Sequence, residues 1–235
     1  MQSQNSLNLS NGIFFKLKSS FKKLYKNSNF YEKRISKTFD NNFEYKPSPH
    51  LLSSIIRYQK KKYKIEDFAT EAIWKNNISS KDFKKLNNFF WFFSLDLKSS
   101  KETTQSIILN WINKNEKFDE NIWEFNITAK RIIAWLSNHQ LTYEDSNEEY
   151  RLFFNHMLQK QTNHLLNEIK NLSEIEEKLI GCAAIILTGL AYKDEKNYLD
   201  SGLNILKNII KQSLNKQGFP RSRSIQNLVF YLKYL

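Results

Sequence analysis

The chain has 235 residues, 40% hydrophobic and 14% aromatic, with 36 basic against 24 acidic side chains and a net charge of +12. That length favours one domain with ample material for a core, and five glycines with three prolines are too few for the turns of a sandwich, a barrel or a doubly wound α/β fold. An all-α chain remains, and its charge points either to a polyanionic partner or to the Lys, Asn and Ile bias of an AT-rich coding sequence.

Residues 1–12 are polar and lack a charged region followed by a long apolar one, so no secretory signal is visible and a cytoplasmic location is expected. The stretch GIFFKLKSSFKKLYKN sets Phe14, Leu17, Phe21, Leu24 and Tyr25 on one helical face, with Lys16, Lys22, Lys23 and Lys26 around it. That face is expected to pack on the domain; lying on a membrane surface is the alternative. Residues 27–50 read as a connector ending in KPSPH, with a helix beginning near His50.

FKKLNNFFWFFSLDL (83–97) is apolar almost all round and predicts a helix buried on several sides. SSKETTQ then supplies a helix start, and Ile107, Ile108, Trp111 and Ile112 make the stripe that follows it. ITAKRIIAWLSNHQ (127–140) is the next helix, with Ile132, Ile133 and Leu136 on its apolar side. Over 149–169, Tyr150, Phe153, Phe154, Met157, Leu158, Gln161 and Leu165 keep the spacing of a long amphipathic helix.

LIGCAAIILTGLAY is the longest apolar run and too short to span a bilayer. It buries the single cysteine, Cys182, as a structural thiol, while Gly181, Ala183, Ala184 and Gly189 admit close neighbours. NYLDSGLNILKNIIKQSL is expected to turn Leu203, Leu206, Ile210 and Leu214 inward. Helix following helix with no convincing strand predicts an array of paired antiparallel helices.

No metal or cofactor motif stands out. His156 and His164 are eight apart on one helix without a third ligand, and phosphate-binding, dinucleotide-binding and nucleophile-elbow patterns are missing. Aromatic and basic residues do interleave: Arg131 with Trp135, Trp123 with Phe125, and Phe219 with Arg221 and Arg223. Arginine clamps carboxylate or phosphate at two points, and aromatic faces stack on sugars or bases. Taken singly, each also reads as a core tryptophan or a solvated arginine.

The collinear order of FFWFFSLDL, Trp111–Ile112, Trp123, TAKRIIAWLSNH, a long helix with Gln159 and Gln161, LIGCAAIILTGL and SLNKQGFPRSRS carries a resemblance. Over residues 45–235 it resembles the N-terminal helical part of the heparinase II/III-like family of polysaccharide lyases. The family implies an incomplete (α/α) toroid built of antiparallel helix pairs, followed by a β-sandwich domain. It also implies β-elimination on uronic-acid polysaccharides and sets a periplasmic location as the alternative to the cytoplasmic one; no cofactor is expected. The resemblance divides the chain into a basic amphipathic helix and connector (1–44) and a toroid-like domain (45–235), expected to stop short of the β-sandwich. In this frame QGFPRSRS takes the place of a glycine-containing loop that turns back at the cleft. Arg131, Trp135, Arg221 and Arg223 then become the substrate-binding candidates, expected to converge on one concavity, and His139 and Tyr143 the catalytic ones.

Departures from the family pattern are concentrated at the chemistry. Gln217, Gly218 and Phe219 stand for Asp-Gly-Gly, Ser224 and Ile225 for Asn-Pro, and Glu176, Glu177 and Lys178 where an Asn-His pair is usual. The expectation is an acidic-polysaccharide-binding half that is inactive alone. The alternative is a basic helical scaffold that binds nucleic acid or protein without catalysis, with lysines spread over a convex face.

Overall fold

Polar side chains open several of the helices by satisfying amides that have no partner inside the helix. Ser28 accepts from the amide of Tyr31, Ser100 from that of Thr103, and Asn147 from that of Tyr150. The computed structural model describes residues 17–18, 20–38, 80–95, 99–192 and 196–234. A helical segment over 20–26 leads to α1 (Asn29–Ile35), α2 (Ser80–Asn87), a 3-10 turn (Phe90–Ser94), α3 (Lys101–Asn115) and α4 (Phe125–Ser137). Then follow α5 (His139–Thr142), α6 (Glu148–Glu168), α7 (Ile175–Ala191), α8 (Lys196–Ser213) and α9 (Ile225–Tyr234). The described residues are all-α; outside the helices Leu214 and Pro220 form an isolated bridge. None of their helices is long and apolar enough to cross a membrane. The 44/45 boundary, Phe14 and the helix expected near His50 lie outside the described residues.

The centre of the packing is α4, in which every residue except Asn126 and Lys130 is buried. Arg131 meets Gln161 and Trp135 meets Phe154, so α4 and α6 run antiparallel. Thr162 bonds Thr188 and Tyr192 bonds Asn155, so α6 and α7 are antiparallel in turn. It follows that α4 and α7 run parallel, and the bond from Asn126 near the start of one to Glu177 near the start of the other agrees. Glycine closes the seam between α7 and α8. A Cβ on Gly189 would sit 2.4 Å from the backbone nitrogen of Leu199, and one on Gly202 would sit 2.6 Å from Cγ1 of Ile186. These pairs also show that α8 runs antiparallel to α7. Cys182 belongs to this seam, its Sγ donating to the carbonyl of Gly202 at 3.2 Å, and burial pushes its thiol up to about 12.

Four expectations need correction. The 83–97 stretch is not one helix: α2 ends at Asn87, Phe89 takes a left-handed φ of 57°, and a 3-10 turn follows. A continuous helix would point its aromatics around the whole axis, whereas the break, held by the Phe90 amide on Oδ1 of Asn88, lets Phe89, Phe90, Phe92 and Phe93 all reach the core. The 27–50 connector contains α1, whose Tyr31 and Ile35 are buried. On α8 the inward face is Tyr198, Gly202, Ile209 and Ser213, while Leu203 and Ile210 are exposed, because the glycine seam selects the face. Finally, the apolar face of the 20–26 segment points to solvent: Leu17, Phe21 and Leu24 are exposed, and Lys22, Lys23 and Lys26 meet Glu168 and Glu120 instead.

The seam makes a measurable forecast. Gly189→Ala must push backbone away from backbone and is expected to cost about 1–3 kcal/mol. Gly218→Ala, in open space but at φ 81°, is expected to cost about 1 kcal/mol. Urea denaturation midpoints check both, and an unchanged midpoint for Gly189→Ala would show that the seam is not close-packed.

Candidate functional site

The segment after α8 folds as a tight loop on its own backbone. Asn215 accepts at Oδ1 from the amides of Gln217 and Phe219, and its own amide donates to the carbonyl of Phe219. Gly218 takes φ 81°, the left-handed turn that only glycine adopts without strain. The amide of Arg221 returns to the carbonyl of Ser213 at 2.8 Å, which pins the loop to the end of α8. Arg223 also takes a positive φ, 54°, a costly conformation for a side chain of its size. Arg221, Arg223 and Phe219 are exposed, Pro220 is buried beneath them, and Ser224 caps α9 by accepting from the amide of Asn227.

Helix directions locate this loop within the bundle. Because α8 is antiparallel to α7, the loop lies at the end where α7 begins, and α4 begins there too. Asn126, Glu176, Glu177 and Lys178 therefore share that end with Arg221 and Arg223; Asn126 donates to Glu177 at 2.7 Å. Acidic side chains occupy both helix starts, Glu124 at the cap of α4 and Glu176 and Glu177 in the first turn of α7, so Arg221 and Arg223 are the exposed guanidinium groups of an end that also carries carboxylates.

Arg131 and Trp135 do not join them. Both are fully buried, and the expected concavity shared with Arg221 does not form. The Arg131 guanidinium lies 4.0 Å above the Trp111 ring and donates to Gln161 Oε1 and the Asn87 carbonyl at 2.8 Å, and to the Ile122 carbonyl and Thr128 Oγ1 at 3.3 Å. Trp135 packs edge-on against Trp111 and Phe89, with centroids 5.5 and 5.4 Å away. This arginine is a structural cation, and burial lowers its affinity for a proton.

His139 and Tyr143 sit beyond the other end of α4, separated from the loop by its thirteen residues, a length of about 20 Å at the helical rise. His139 is 4% exposed with Nε2 3.3 Å from a Glu144 carboxylate oxygen that belongs to a cluster with Lys101 and Asp145. Tyr143, 6% exposed, accepts at its hydroxyl from Asn155, which in turn accepts from Tyr192. The candidate base and the candidate carboxylate clamps are thus at opposite ends. A cavity of about 260 Å³ between α3 and the start of α6 is lined by Glu102, Gln105, Leu109, Tyr150 and Phe153 among others, and by none of the four arginine and tryptophan candidates.

Apart from Gln161, apolar spacing on α6 did not mark the polar side chains that are buried all round it: Asn155, Gln159, Lys160, Thr162, His164 and Glu168. Lys160 bonds the Glu32 carboxylate and the Glu116 carbonyl, and His164 Nδ1 lies 2.7 Å from the Tyr31 hydroxyl. The density of amides and charges within an otherwise apolar helix was the available signal. Among the described residues, no group of three or more His, Cys, Asp or Glu side chains could hold a metal. Comparison with protein-family models, curated proteins and solved structures returns no match.

Two outcomes test these assignments. Arg131→Lys keeps the charge but supplies one nitrogen where three are used, and is expected to cost about 3 kcal/mol in thermal or urea unfolding. Burial, and then Lys26, push His164 from its ordinary 6.5 down to about 3, so the folded protein holds it neutral. The unfolded chain then binds the extra proton between those values, and stability falls as pH drops through that window while remaining intact above it. His156, lowered first by burial, adds to the same slope, so His164→Gln should flatten it more than His156→Gln does. A slope unchanged by His164→Gln would rule out a buried neutral ring.

Proposed function

We propose that the chain is the substrate-binding helical half of a heparinase II/III-like lyase that binds acidic polysaccharide and has no eliminase activity by itself. The observation that carries this reading is the loop at 214–224. It presents Arg221, Arg223 and the 60%-exposed ring of Phe219 at the end of the bundle where α4 and α7 begin. Guanidinium groups pair with uronate carboxylates, and an exposed aromatic ring suits the apolar face of a sugar. The collinear sequence segments support the same reading, as does a helical fold with antiparallel neighbours; closure into a toroid is part of the proposal.

β-Elimination requires a group that neutralises the uronate carboxylate, a base for the C5 proton and an acid for the leaving oxygen, all held together. His139 and Tyr143 are buried at the far end of α4 from the arginines, so the described residues assemble no such trio around the loop. The second reading, a basic scaffold for nucleic acid, is favoured by the burial of Arg131 and Trp135, which leaves no aromatic–arginine cleft from those two residues.

Titration with uronate oligosaccharides separates the readings. Arg221→Ala with Arg223→Ala should abolish binding, while Lys114→Ala with Lys117→Ala, two exposed lysines on and just after α3, should leave it unchanged. Equal losses in both pairs, together with a steep decline in moderate salt, would mean undirected attraction to a +12 protein. No unsaturated uronate product, read by ultraviolet absorbance, is expected from heparan, alginate or hyaluronan. Turnover that vanishes in His139→Ala or Tyr143→Phe would overturn the inactivity.

A further inference from the structure

The 20–26 segment is mounted the opposite way from an ordinary surface helix. Leu17, Phe21 and Leu24 follow the spacing of one helical face and are 52%, 70% and 68% exposed; Phe30, in α1, is 83% exposed. The reverse face carries Lys22 and Lys26, bound to Glu168 at 2.9 and 2.6 Å, and Lys23, bound to Glu120 at 2.9 Å. Burial would raise the Glu168 carboxyl, but the hydrogen bonds from Lys26 and Lys22 outweigh it and hold it below its ordinary value, so it stays an anion. Behind it, α1 is stapled to α6 by Tyr31 on His164, Glu32 on Lys160, and Asn163 on the carbonyls of Ile35 and Lys37. The apolar face is therefore held outward by contacts on its other side.

Exposed cations lie in the same stretch of chain. Residues 17–37 carry seven basic side chains and one acidic, half of the net charge of +12. After Lys22, Lys23 and Lys26 are paired to acids, Lys18, Lys33, Arg34 and Lys37 remain exposed, with Arg34 reaching the Tyr25 hydroxyl beside the helix.

We propose that this face docks on an anionic lipid surface, with Leu17, Phe21, Leu24 and Phe30 entering the headgroup boundary and the exposed cations meeting the lipid charge. Apolar area and attraction to anionic lipid are the two terms that bind such helices, and residues 17–37 expose side chains for both. A second copy fits worse, because self-docking would oppose two strongly positive surfaces. Nucleic acid would match the cations and leave the apolar side chains without a partner. The inference is independent of the lyase reading.

Flotation with vesicles of phosphatidylcholine, with and without phosphatidylglycerol, tests it on the whole chain. The protein should float with the anionic vesicles and stay behind with the neutral ones. Phe21→Ser with Leu24→Ser should lower the bound fraction about tenfold, with an unchanged circular dichroism spectrum because both side chains are exposed. Lys18→Glu with Lys33→Glu should weaken binding similarly. Failure to float with anionic vesicles, or wild-type flotation of the serine variant, overturns the proposal. A dimer in sedimentation that the serine variant returns to monomer would assign the face to a second copy and overturn it equally.

Discussion

A single buried cation organises the centre of this bundle. Taking a guanidinium out of water is costly, and it persists only where its donors are satisfied. Arg131 achieves this with neutral partners: two backbone carbonyls, an amide and a hydroxyl, with the Trp111 ring against its face. Those partners come from the end of α2, the loop before α4, α4 itself and α6, while the ring belongs to α3. Each must be in place for the cation to be tolerated, so one side chain makes the arrangement of five segments interdependent. Phe89, Trp111 and Trp135 then close around it in edge-to-face contacts.

The same principle extends outward along α6. Its Gln161 receives Arg131, Thr162 meets Thr188 of α7, and His164 and Lys160 receive Tyr31 and Glu32 of α1. A helix with a purely aliphatic face could slide or rotate against its neighbours with little penalty. Buried polar groups that each need a particular partner remove that freedom. On the other side of α7 the work is done by shape: glycines at 189 and 202 let α8 approach at backbone distance.

Charge on the interior side of the N-terminal segment has a consequence for its exterior. Because Glu168 and Glu120 take the lysines, the aromatic and aliphatic side chains of that segment are left outward. The loop at 214–224 is a second exposed basic and aromatic feature. It is built differently, by local backbone bonds and two left-handed residues rather than by long-range ion pairs. Exposed cations beside exposed aromatic rings are common to both, while the apolar component is extensive only at the N-terminal face.

Local order was readable from the chain alone. Periodicity and caps located α3, α4, α6, α7 and α8, since helix-forming spacing and N-terminal side chains act within a few residues of one another. The buried role of Cys182 followed from its apolar neighbours. What periodicity leaves undetermined is which of two plausible faces turns inward. Leu203 and Ile210 were expected to turn inward on α8, yet Gly202 set the contact, because close approach there excludes even a methyl group. Leu17, Phe21 and Leu24 formed the apolar face, yet two glutamates far along the chain turned it outward. Arg131 and Arg221 carry the same group, and only the direction in which α4, α7 and α8 run buried one in the core and left the other at the surface. Helix identity was a local property and was in the sequence; helix orientation depended on contacts between different helices, from Gly202 on Ile186 to Lys26 on Glu168, and only the tertiary structure decided it.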